Sequence, residues 1–100
     1  MMNVLSCQHV SELIDETITL IDGTDTEYAM TLVRVDTHPG HGDDVNGHSV
    51  ENFSLILQGP EDTRFPQGNY LLSHPALGEQ VLHMLPLDDA TYTIIINTRA

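Results

Sequence analysis

Short β-forming runs, broken at close intervals by turn residues, leave this chain few folds to choose from. Glu16 to Ile21 and Glu27 to Val35 are rich in β-branched residues, and Asp22-Gly23-Thr24-Asp25 between them is strong turn chemistry. Asn52 to Gln58 alternates, with Phe53, Leu55 and Leu57 on one face, and only Ile56 breaks the rule. Three further strands follow, around Tyr70 to Ser73, from Glu79 to Leu87 and from Thr91 to Thr98. His74-Pro75, Gly78 and Asp88-Asp89 separate them. Successive short links imply antiparallel neighbours. The expected fold is mainly β: a meander closing into a small antiparallel barrel or sandwich of about six strands.

Three irregularities qualify this rhythm. Ser6 is placed to cap a short N-terminal helix, with Val10, Leu13 and Ile14 at i, i+3, i+4 on one face, and that helix is expected to plug an open end. In the second strand Tyr28, Met30 and Leu32 share a face while Val33 and Val35 take the opposite parity, which implies a bulge or a strand apolar on both sides. From Asp36 to Ser49 the chain reads DTHPGHGDDVNGHS, a polar, turn-rich stretch expected as the one long loop. With 100 residues and no internal repeat, residues 1–100 form a single β-rich domain.

Charge narrows the choice of partners. Fifteen Asp and Glu oppose three basic residues, Arg34, Arg64 and Arg99, and there is no lysine, for a net charge of −12. Phosphate recognition needs clustered Lys and Arg, so nucleic acid is excluded as a partner, and an anionic membrane surface would repel the chain. The absence of lysine also removes Schiff-base chemistry. Cys7 is alone, so there is no internal disulfide, and no stretch approaches the ~20 apolar residues of a membrane span. A cytoplasmic location is the default, with export inside a larger assembly left open.

Six histidines are the remaining chemistry. His38, His41 and His48 share the polar stretch with Asp36, Asp43 and Asp44, a donor set able to wrap zinc, nickel or copper. A solvated polar loop is the competing account. His74 stands at a corner before Pro75, where a structural hydrogen bond is expected. His83 shares parity with Val81 and Leu85 and reads as a partly buried, hydrogen-bonded ring. No nucleophile elbow, phosphate loop or dinucleotide glycine pattern occurs, and no cofactor is implied. On nominally outer faces stand Ile56, Met84 and Ile95, apolar residues able to form a contact patch unless the N-terminal helix covers them.

From Asn52 onward, the chain carries F-x-L-x-x-x-G-P (Phe53, Leu55, Gly59, Pro60) and then P-Q-G-x-Y (Pro66, Gln67, Gly68, Tyr70). H-P-x-L-G (His74, Pro75, Leu77, Gly78) and a hydrophobic strand with Pro86 complete the pattern. In this half the chain resembles an uncharacterised family of short bacterial domains of unknown function. Members of that family look like companions of phage-tail-like or fibre proteins, so the resemblance implies an accessory or structural role and brings no catalytic residues. The expectation is a non-enzymatic structural or protein-interaction module with a protein partner or a second copy. The alternatives are a metal- or small-ligand-binding domain using loop 36–49, and an acidic inhibitor that mimics nucleic acid.

Overall fold

The computed structural model describes residues 6–41, 44–45 and 48–99. Ser6 caps helix α1 (Cys7–Ser11), its Oγ accepting from the His9 amide at 3.2 Å. Residues 12–15 leave the helix as turns. Val10 and Leu13 are buried, but Ile14 is 37% exposed, because helical spacing no longer holds where it stands. Asp15, at φ +76°, swings the chain into the sheet. Its amide donates to the Leu32 carbonyl at 2.7 Å, and the Leu32 amide donates back to Glu16 at 3.1 Å.

The strands are β1 (Thr17–Ile21), β2 (Glu27–Thr37), β3 (Asp44–Val45), β4 (His48–Gln58), β5 (Gly68–His74), β6 (Gly78–Asp88) and β7 (Thr91–Arg99). Six of them close a wholly antiparallel barrel in the cyclic order β1-β2-β4-β7-β6-β5, and β3 lies against β4 as a short ribbon. The barrel consists of two three-stranded meanders, β1-β2-β4 and β5-β6-β7, rather than one continuous meander. Their first strands pair with each other, and so do their last. β4 and β5 stand on opposite sides of the ring, so residues 59–67 must cross one end of the barrel.

Side-chain parity follows the expected pattern on β4 and β7, where Phe53, Leu55, Leu57, Ile94 and Ile96 are buried. The parity change on β2 is a bulge. Leu32 faces Leu57, Arg34 faces Ile56 and Val35 faces Leu55, so Val33 is the extra residue and Val35 rejoins the inner face. The stretch 36–49, expected as one loop, contains strand at residues 36–37, 44–45 and 48–49. β2 runs on to Thr37, β3 pairs with the start of β4, and the His38 amide donates to Asn52 at 2.9 Å. Polar composition misled because ladder bonds are main-chain bonds, open to polar residues where nothing apolar need be covered.

Both ends of the barrel are filled from within the chain. At one, Val10 and Leu13 meet Leu77 of the β5–β6 turn and the barrel core. The ring of His9 ties α1 to the same turn, with its Nε2 at 2.9 Å from the Ala76 carbonyl. At the other, Phe65 in the crossing link is 5% exposed and stands edge-on to Tyr28, Tyr70 and Tyr92 at centroid distances of 4.9, 6.0 and 5.5 Å. The Phe65 amide donates to the Tyr92 hydroxyl at 3.1 Å. Burial pushes the Tyr70 hydroxyl above the usual tyrosine range, with smaller contributions from Tyr92 and Asp22. Gly59 opens this link where a Cβ would come within 3.1 Å of the Met30 side chain. No helix among the described residues is long and apolar enough to cross a membrane.

Candidate functional site

The histidines divide into structural groups. His74, 9% exposed, sits at the end of β5, where its Nδ1 accepts from the Ala76 amide at 2.9 Å. Its Nε2–H is thereby free to donate to Glu16 at 2.8 Å, so the ring pins the corner before Pro75 to the start of β1. That is the structural role expected of it. His83 is exposed on the outer face and bonds the Asn69 side chain at 3.0 Å across the β5–β6 ladder, so the expectation of a partly buried ring is corrected.

His38 and His41 are held where β2 gives way to the turn before β3. The Nε2 of His38 bonds the Ser54 hydroxyl, itself buried on the outer face of β4. The Nδ1 of His41 accepts from the Asn52 amide at 3.0 Å and lies 3.6 Å from a Glu51 carboxylate oxygen, and that same oxygen accepts from the Cys7 amide at 3.3 Å. The contacts tie the long hairpin to β4 and to α1. The side chain of His48, the third proposed ligand, lies outside the described residues. Among the described residues no group of three or more His, Cys, Asp or Glu is arranged to hold a metal ion.

The second set of expected residues, Ile56, Met84 and Ile95, is divided between the outer wall and the interior. Ile95 of β7 is 57% exposed, as a contact residue must be. Ile56 is also on the outer face, but it lies between Arg34 on β2 and Thr93 on β7 and is only 6% exposed. Met84 is a correction: it is wholly buried inside the barrel opposite Ile94 and cannot meet a partner. The inner row of β6 is Leu82 and Met84, so the outward row is Val81, His83 and Leu85. Val81, 69% exposed, is the apolar residue that sequence reading placed on the wrong side. The turn at 75–77 sets Asn69 opposite His83 and Tyr70 opposite Leu82. Asn69 and His83 form a polar cross-strand pair, and it was the available signal for the true parity.

Val81 and Ile95 flank a seam of the barrel that the β6–β7 ladder closes only in part. Pairing between β6 and β7 runs from Asp88↔Thr91 through a register shift to Met84↔Ile94, and ends there. Beyond it, residues 78–83 of β6 pair only with β5, and residues 95–99 of β7 pair only with β4. Two strand edges and two exposed apolar side chains therefore meet on one side of the molecule. Helix α1 plugs the barrel end, against β2, β4 and the β5–β6 turn, and leaves Val81 and Ile95 exposed on the wall.

Residues 5–96 match the family described as Domain of unknown function (DUF6916). No curated protein and no solved structure matches the chain.

Proposed function

We propose that this chain, which belongs to the DUF6916 family, is a non-enzymatic protein-interaction module that serves as an accessory or subunit of a phage-tail-like or filamentous assembly. The observation that supports the reading best is the seam between β6 and β7, where Val81 and Ile95 stay 69% and 57% exposed beside unpaired strand edges. Ile14 and Leu87 are exposed as well, at 37% and 55%, but Val81 and Ile95 are the two that stand beside unpaired strand edges, where a partner would cover side chain and main chain together. The assembly context comes from the resemblance of the half beginning at Asn52 to companions of tail and fibre proteins.

Sedimentation of the purified chain tests this, over a series from micromolar to millimolar, alone and mixed with the products of genes adjacent to its own. A defined complex that Ile95→Lys dissolves, with circular dichroism unchanged, supports the reading. Wild type and Ile95→Lys sedimenting alike in every mixture would refute it.

A further inference from the structure

Elsewhere around the barrel, side chains finish what the ladders leave incomplete. β1 pairs with β5 over only three residues, from Thr19↔Ser73 to Ile21↔Leu71, but Glu16 and His74 join at one end of that seam. Where β2 outruns β4, the crossing link covers it, with Gly59 against Met30 and Phe65 against Tyr28. Between residues 78–83 and 95–99, no ladder or side-chain bond among the described residues joins the two edges. Residues 95–99 carry no proline, lysine or register shift, and of the usual devices that blunt an edge only one charged residue, Arg99 at the far end, is present. Their other side is fully paired, from Ser54↔Ile95 to Val50↔Arg99, so the edge is held extended and ready to template another strand.

We propose that the free edge of β7, residues 95–99, takes up an extended, Lys- or Arg-bearing segment of a different protein as an added β-strand. This rests on the interaction-module reading and names its partner. Main-chain hydrogen bonds supply attraction without any basic side chain on this protein. A second copy is disfavoured because it would bring another charge of −12 to the contact. A cationic strand gains from the same field. Its outward residues would run beside Ile95 and Asn97 and face the outward row Glu79, Val81 and His83 across the seam, so Glu79 is the local carboxylate and the net charge of −12 supplies the wider field.

The test uses a decapeptide of alternating lysine and valine, with two controls: glutamate in place of lysine, and the lysine peptide N-methylated at alternate amides. Amide exchange of the whole chain is followed by NMR. The lysine peptide should slow exchange within residues 95–99 by about tenfold or more, less so at high salt. Neither control should do so, and Ile95→Lys should lose the effect while keeping its spectrum dispersed. Protection confined elsewhere, equal binding of the N-methylated peptide, or no protection at millimolar lysine peptide would overturn the proposal. If the same amides slow with protein concentration alone and dimers sediment, the module reading stands and the cationic partner falls.

Discussion

Phe65→Ala is the perturbation that bears most directly on how this barrel closes. The residue lies in a link rather than a strand, yet it is 5% exposed and meets three tyrosine rings edge-on, with interplanar angles of 79°, 82° and 69°. Removing a buried phenyl ring forfeits its transfer free energy and leaves a cavity whose walls are strand residues that cannot collapse freely. The expected loss is about 3–5 kcal/mol. At roughly 4–8 °C per kcal/mol for a domain of this size, the thermal midpoint should fall by at least about 12 °C. Phe65→Leu keeps most of the volume and loses mainly the edge contacts, each about 0.5–1.5 kcal/mol, so it should fall between wild type and Phe65→Ala. Urea unfolding followed by tyrosine fluorescence suits the measurement, because the chain has three tyrosines and no tryptophan. A Phe65→Ala loss under about 1 kcal/mol at unchanged m-value would show that the link is a loose cover and that the barrel end closes without it.

The other outcomes concern titration and metal. Asp22 is held below the ordinary carboxylate value of 3.8, first by the Thr24 hydroxyl at 2.7 Å and then by the amides of Thr24 and Thr26. A depressed folded value stabilises the fold above the unfolded value, and that contribution is lost as pH falls through the folded one. Carboxyl NMR should therefore show Asp22 titrating below 3.8, with Thr24→Val raising its midpoint; an unmoved midpoint contradicts the assignment. For the histidines, chelator-treated protein should melt at the same temperature with and without stoichiometric zinc or nickel, since His38 and His41 already bond Ser54 and Asn52. A metal-induced rise abolished by combined His38→Ala, His41→Ala and His48→Ala would restore the metal-site reading.

Strand positions were readable from sequence because alternation and turn chemistry are local. Asn52 to Gln58 declares its inner face unaided, and the change of parity from Leu32 to Val35 signals a bulge or a strand apolar on both sides, which the β2–β4 register resolves as a bulge. The face of β6 was not readable that way. With Val81, Leu82, Met84 and Leu85 all apolar, alternation is silent, and only pairing across the 75–77 turn decides that Leu82 and Met84 face inward. Cyclic order was hidden for a similar reason. Residues 59–67 give no sign in their own chemistry that they cross the ring instead of turning back. Exposure along the seam depends on where the β6–β7 ladder stops, a property of two strands and the register shift between Pro86 and Asp88.

The location of any contact follows from how the barrel is filled. In a barrel of six strands the interior is occupied by side chains, here Leu20, Leu32, Phe53, Leu57, Met84 and Tyr92 among others, all essentially inaccessible. One mouth is stopped by α1 and the other by Phe65, so the chain's own residues take the places where larger barrels admit a ligand. Recognition is thereby pushed to the outer wall. Most of that wall is polar, and among the described residues His38, His41 and His83 bond within the chain. What remains is the seam where two strand edges come free beside Val81 and Ile95. Its polar resource is main chain, which reads extension rather than sequence, so under the proposed strand addition selectivity would come from charge. If the proposed strand addition takes place there, fifteen carboxylates and no lysine disfavour acidic strands, this chain's own included.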